Sequence, residues 1–285
     1  MAPITRSNRK ERLEMRQLLA SGRASNDTGF PALPSEMHFE ILSYFQSMPV
    51  PTQNEQVDSR ILREQHLTLL SLSQTCRSLR SFYLAYLWQR IEVFNGMETA
   101  RGCLTTDLLG NGHVVKNKLY TQELLRQLEI VTVRDPSLAK NVNILNVTIV
   151  EYSTEAVLRE LARCMALFPN LHTVQLNFRI FIDTLLLAER VFGAYQYPQI
   201  RTVCLSRSAY SFLSACPRVR NVTSYMNCPD TDFLETVIRE CPEVEVLGSP
   251  LFLPDTAERL LYHFHLELLD HDFEHRHSIS TAKFT

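Results

Sequence analysis

The densest group of chemically able side chains lies near the C-terminal end, in YHFHLELLDHDFEHRH. It sets His263, His265, His271, His275 and His277 among Glu267, Asp270, Asp272 and Glu274. His271 and His275 are four residues apart, a spacing that puts two imidazoles on one helix face, as a metal ion requires. A solvated helix end running into a terminus has the same composition, and the segment is read as holding no metal. The other route to catalysis is a nucleophile. Cys103 and Cys164 qualify by type, but a thiol needs a positioned base to attack. No G-x-S-x-G elbow, H-E-x-x-H pair, phosphate-binding loop or dinucleotide fingerprint occurs, and no cofactor is expected. Asn26, Asn146 and Asn221 each begin a glycosylation sequon. Two of these lie on strands expected to be buried, so all three are discounted.

The bulk numbers narrow the classes further. The chain has 285 residues, 45% apolar and 21% charged, with a formal net charge of −2. That is the balance of a globular protein, with no global attraction to nucleic acid or an anionic membrane. No apolar run approaches the roughly 18 residues needed to span a bilayer. Seven cysteines, an odd number, point to a reducing compartment, cytoplasm or nucleus, with free thiols. Cys216, Cys228 and Cys241 each precede proline and lack the close pairing of a zinc site; they read as small buried hydrophobes at repeat junctions.

The elements that would position any site begin after a basic tail, residues 1–29. In FPALPSEMHFEILSYF, residues 30–45, Pro34 fits a first helical turn and Glu36 suits the positive helix N-terminus. Met37, Ile41, Leu42 and Phe45 then recur at helical spacing. A polar insert at about residues 47–66 follows, after which helical periodicity resumes at Leu67 and runs to Trp88.

This order of residues resembles an F-box. That family's pattern opens on Leu-Pro with a Glu two residues later, then an Ile-Leu helix. It continues with a Leu-rich helix ending in Cys-Arg-x-Leu and closes on Leu-Trp. Here these read Leu33-Pro34, Glu36, Ile41-Leu42, Phe45, Leu69, Leu72, Cys76-Arg77-Ser78-Leu79 and Leu87-Trp88. HLTLLSLSQTCRSLRSFYLAYLWQRIEVF is similar to fungal F-box proteins of the basidiomycete type, which also carry a long insert. The resemblance implies a three-helix module over residues 30–95. It also implies a Skp-type adaptor bound through Leu33, Pro34, Ile41, Leu42 and Phe45. Leu69, Leu72, Cys76, Leu79 and Trp88 would be shared between that contact and the module's own core. Through the adaptor the chain would meet a cullin scaffold. A module of about 60 residues cannot bury all its apolar faces alone, which agrees with a partner.

A linker at 96–116 separates this module from residues 117–285, where one phrase recurs: apolar, two variable, apolar, one variable, apolar or small. It appears at Leu128–Val133, Val142–Val147, Leu171–Leu176 and Ile200–Leu205, then in degenerate form at Val219–Ser224 and Val244–Ser249. The central residues Leu145, Val174, Val203, Val222 and Leu247 stand 29, 29, 19 and 25 apart. This is leucine-rich-repeat spacing of irregular length, with amphipathic segments such as TEAVLRELARCMALF between phrases. The expected fold class is α/β: a helical module followed by parallel strands with helices on the convex side, neighbours stacking to bury each other. Side chains alternate across a sheet. His172, Gln175, Arg201, Arg220 and Glu245 are therefore expected on the open face, with Arg201 and Arg220 suited to an acidic or phosphorylated segment.

The function this implies is non-catalytic: the substrate-receptor subunit of a Skp–cullin–F-box ubiquitin ligase, with an unidentified protein target. The alternatives are a hydrolase or transferase on an α/β scaffold with a helical cap, or a scaffolding role of the adaptor complex outside ubiquitylation.

Overall fold

The computed structural model describes residues 29–45, 59–94, 113–179, 185–225, 231–249 and 280–283. The chain divides into two units, Met1–Ser47 with Gln65–Leu87, and Met48–Glu64 with Trp88–Thr285.

The first unit is helical. A 3₁₀ turn at Phe30–Ala32 leads to α1, Ser35–Ser43, followed by α2, Ser59–Thr75, which enters this unit from Gln65 onward, and α3, Arg77–Leu87. Pro34 sits at the N-cap of α1 with an extended ψ of 150°, and Glu36 lies in the first turn. Helix α2 begins at Ser59, well inside the stretch expected as insert and eight residues ahead of Leu67. Ile61 and Leu62 are its only apolar residues before Leu67, too few to show a helical repeat in the sequence. Ser71, Ser73 and Thr75 turn their hydroxyls back onto the carbonyls of Leu67, Leu70 and Ser71 at 2.8, 2.7 and 2.9 Å. Such back-bonding weakens a helix, and α2 stops there. Cys76 breaks the run, and α3 restarts with Arg80 N–H donating to the Cys76 carbonyl at 2.9 Å.

The second unit holds a seven-stranded sheet in sequence order: β1 Arg90–Val93, β2 Ile144–Val150, β3 Thr173–Arg179, β4 Thr202–Leu205, β5 Asn221–Ser224, β6 Val246–Ser249 and β7 Ser280–Lys283. The first six run parallel, while β7 lies antiparallel on β6. Between strands come α4 His113–Glu129, α5 Thr154–Ala166, α6 Leu185–Phe192, a 3₁₀ segment Arg207–Ala215 and α7 Thr231–Glu240. Each packs on the next in the same order as the strands. A strand order that never reverses, with right-handed crossovers, leaves the helices on one face.

The register explains why the phrase specifies this arrangement. Ile91, Leu145, Val174, Val203, Val222 and Leu247 pair across adjacent strands, and Val93, Val147, Leu176, Leu205 and Ser224 pair two residues on. All of these are buried. Strands β3 to β6 are each fed by a tight turn. Leu171, Ile200, Val219 and Val244 donate their N–H to Phe168, Tyr197, Cys216 and Cys241 carbonyls at 3.3, 3.2, 3.3 and 3.3 Å. Proline occupies the second turn position each time, where its fixed φ is pre-set. The residue before it is fully buried, which is how Cys216 and Cys241 come to be small apolar plugs. Cys228 lies outside the described residues.

Two expectations are corrected. Leu128–Val133 is no strand: it is the end of α4 and a π-helical turn, Ile130–Arg134. Leu124, Leu128 and Val131 are buried at helical spacing while Val133 is 62% exposed. An apolar pair three apart belongs equally to the phrase and to a helix face, and here the helix continues. Conversely, Trp88 begins a phrase of its own, Trp88-x-x-Ile91-x-Val93, whose strand pairs with β2. The 19-residue spacing from Val203 to Val222 leaves too little chain for a helix and two turns, and a 3₁₀ segment fills it. Helix α4 also starts at His113, within the expected linker.

A side chain caps one edge of the sheet, and an antiparallel strand extends the other. On the β1 side, the buried Gln127 of α4 donates from Nε2 to the Glu92 carbonyl at 3.1 Å and accepts from the Glu92 N–H at 3.2 Å. Its amide thus substitutes for a neighbouring strand. Nε2 also donates to Glu123 Oε1 at 3.0 Å, and Glu123 is ion-paired with Arg126. On the other side β7 covers β6.

Candidate partner-binding surfaces

The helical unit has a small core. Leu79, Tyr83 and Leu87 of α3 are buried, and the one residue α1 buries is His38. His38 Nδ1 lies 2.9 Å from the Tyr83 hydroxyl, and its ring meets Phe30 and Tyr83 edge-on at 5.1 and 5.5 Å. Sequence reading missed His38 and Tyr83, because a polar residue inside an apolar stripe signals burial only when its partner is known. Around this core the motif residues Leu33, Ile41, Leu42, Phe45, Leu69, Leu72 and Cys76 are half-buried, and Pro34 is exposed. Met37, Phe39 and Tyr44 stand 49, 51 and 79% exposed. Phe39 leans on Phe82 and Tyr86 at 5.3 and 6.4 Å, extending the surface into an aromatic cluster. Leu79 and Trp88, expected to serve the contact as well, are enclosed within the folded chain, and Trp88 belongs to the sheet unit. Met37, Phe39 and Tyr44 thus form an exposed apolar surface on a small unit.

The second surface lies at the N-terminal ends of the strands. His172, Arg201, Arg220 and Glu245 occupy one rung. Arg201 N–H donates to the His172 carbonyl at 2.9 Å, Arg220 N–H to Arg201 at 2.8 Å, and Glu245 N–H to Arg220 at 2.8 Å. The expected row is therefore brought together, apart from Gln175. Gln175 is 3% exposed, and with Asn146, Thr148, Thr173 and Asn177 it forms a buried polar patch on β2 and β3. Alternation tells which face a side chain takes, not whether that face is covered. The row carries less free positive charge than two arginines suggest. Arg220 pairs with Glu245 at 3.0 Å, both about half exposed, which is worth little in water. Arg201 Nη1 donates to the Pro198 and Ile200 carbonyls at 2.6 and 3.2 Å.

Burial pushes the thiols of Cys164, Cys204 and Cys241 up to about 12, and that of Cys216 well above its ordinary value. Cys164 has Glu160 Oε1 at 3.5 Å, yet the carboxylate raises the thiol further rather than activating it. Cys103 and the histidine-rich segment 262–277 lie outside the described residues. Among the described residues no group of three or more metal-ligating side chains comes together. No helix there is long and apolar enough to cross a membrane.

These thiols make stability pH-dependent. The unfolded thiols ionise near roughly 8.5. From there to about 12 the unfolded chain binds fewer protons than the native one, so stability falls as pH rises. Below pH 8 the contribution is fully present. Urea midpoints between pH 7 and 10.5 are expected to decline, and a Cys204→Ala variant to decline less steeply. Equal slopes for the two proteins would refute the assignment.

No protein-family model matches the sequence, and no curated protein matches it.

Proposed function

We propose that this chain is the substrate-receptor subunit of a Skp–cullin–F-box ubiquitin ligase. In this reading α1 to α3 are an F-box that docks a Skp-type adaptor. The sheet unit is an irregular leucine-rich-repeat solenoid that carries the target protein. The observation that supports it most is the exposure of Met37, Phe39 and Tyr44 beside the half-buried Leu33, Ile41, Leu42 and Phe45. These fall within the stretch whose order resembles an F-box. The strand order and the repeated phrase support the solenoid, with each repeat resting on its neighbours. The work done is positional: it raises the effective concentration of a bound protein near the ubiquitin donor and needs no catalytic group.

The test is a binding titration of the purified chain against a purified Skp-type adaptor. Leu33 is half-buried and Pro34 exposed, so replacing both by alanine spares the core. The double variant is expected to lose about 2 kcal/mol of adaptor affinity, the scale of an interface anchor. A second variant, Arg201→Glu with Arg220→Glu, is expected to keep the adaptor and lose target proteins. Wild-type affinity in the Leu33/Pro34 variant sinks the adaptor reading. Loss of adaptor in the arginine variant sinks the division of labour between the two surfaces.

A further inference from the structure

Helices α5 and α6 enclose a cleft of about 400 Å³ whose floor is small and apolar: Ala156, Val191 and Ala194. Short side chains at these positions leave the helix surfaces unfilled. The walls carry three guanidinium groups, Arg159, Arg163 and Arg190, against the single carboxylate of Glu160, with Tyr195 closing one side. Glu160 is already spent: Arg163 holds it by Nε and Nη2 at 2.9 and 2.6 Å. That contact lowers the Glu160 carboxyl, so the pair stays ionised and fixed. Arg159 pairs with Glu155 at 2.6 Å, both well exposed and therefore easily exchanged for another anion.

Arg190 differs from its neighbours. It stands in the last turn of α6 and has no carboxylate partner among the described residues. Tyr195 is oriented from behind, its ring stacked on Tyr197 at 6.1 Å and 18°, and the Tyr197 hydroxyl donates to the Ala162 carbonyl at 3.1 Å. The cleft thus offers one guanidinium fork with no carboxylate partner among the described residues, two guanidiniums already paired with Glu155 and Glu160, a held phenol and an apolar floor.

We propose that this cleft binds a phosphate monoester. Arg190 takes the phosphate oxygens bidentately, a geometry guanidinium matches and ammonium does not. Arg159 adds a second guanidinium by exchanging its exposed Glu155 partner for the phosphate, and the floor of Ala156, Val191 and Ala194 receives the carbon portion of the ester. The floor is what selects an ester over free phosphate. This assignment does not depend on the adaptor reading, because it involves neither the helical unit nor the rung at His172.

The test is calorimetric titration of the full chain with phenyl phosphate, inorganic phosphate, benzoate and a phosphoserine peptide. Phenyl phosphate is expected to bind saturably, more tightly than inorganic phosphate or benzoate. Arg190→Gln is expected to weaken it by about tenfold, the loss of a charge-assisted bond. Ala194→Glu, which sets a carboxylate in the cleft, should abolish it. Both positions are exposed, so both variants should melt as the wild type does. A phosphoserine peptide binding more tightly than phenyl phosphate identifies the carrier as a protein, and weaker binding a small molecule. The proposal is overturned by no saturable binding, by benzoate binding as well as phenyl phosphate, or by unchanged affinity in Arg190→Gln.

Discussion

Replacing Phe212 by alanine is expected to cost about 3–5 kcal/mol of stability, the range for emptying a buried phenyl site. Phe212 lies in the 3₁₀ segment Arg207–Ala215 and is fully buried. Its ring meets Phe192 of α6 at 5.0 Å and 75°, an edge-to-face pair worth something beyond area alone. It also touches Tyr197 at 5.6 Å, and Phe192 in turn stacks on Phe178 of β3. One side chain therefore joins the short 19-residue repeat to the one before it. Neighbouring repeats have no core of their own, so the cavity weakens the whole array rather than a single element. Urea denaturation followed by circular dichroism measures it. A shift corresponding to less than about 1 kcal/mol would mean that the site collapses around the gap, and the stacking argument would be wrong.

A second large effect is expected at the sheet edge. Gln127→Leu keeps the bulk of the side chain and removes both hydrogen bonds to Glu92. The exposed strand edge of β1 then keeps an unpaired N–H and an unpaired C=O, each costing about 1–3 kcal/mol where water cannot reach. Glu123 also loses a donor at 3.0 Å. We expect about 2–5 kcal/mol of destabilisation, together with a rise in self-association, because an unpaired edge recruits other strands. Equilibrium unfolding and light scattering read the two consequences separately. A monomeric variant with the wild-type midpoint would show that the edge needs no cap.

Much of the fold was legible because strand and turn chemistry are local. Val142–Val147, Leu171–Leu176, Ile200–Leu205 and Val219–Ser224 each bury their first, fourth and sixth residues, and the proline before three of them sets the turn. The polar rung was legible in the same way: His172, Arg201, Arg220 and Glu245 hold equivalent places in their phrases, so parallel pairing brings them together. Leu128–Val133 was misread for an equally local reason. An apolar pair three residues apart satisfies a strand phrase and a helix face alike, and only the exposure of Val133 separates them.

What the amino-acid sequence determined by itself is the periodicity: where strands recur, where proline turns feed them, and which face of α1 is apolar. What only the tertiary structure decided is which surfaces are covered. Trp88 satisfies both the end of a helical motif and the start of a strand phrase, and pairing of β1 with β2 assigns it to the sheet. Gln175 and His38 are polar by composition yet buried, because β2 and β3 are covered on both faces and because Tyr83, 45 residues away in sequence, supplies His38 with a partner. The cleft at Arg190 is lined by Ala156 of α5, by Val191 of α6 and by Ala194 in the turn after it, which meet only in the folded chain. Periodicity belongs to a few consecutive residues, whereas burial and charge pairing depend on segments that meet only when the chain is folded.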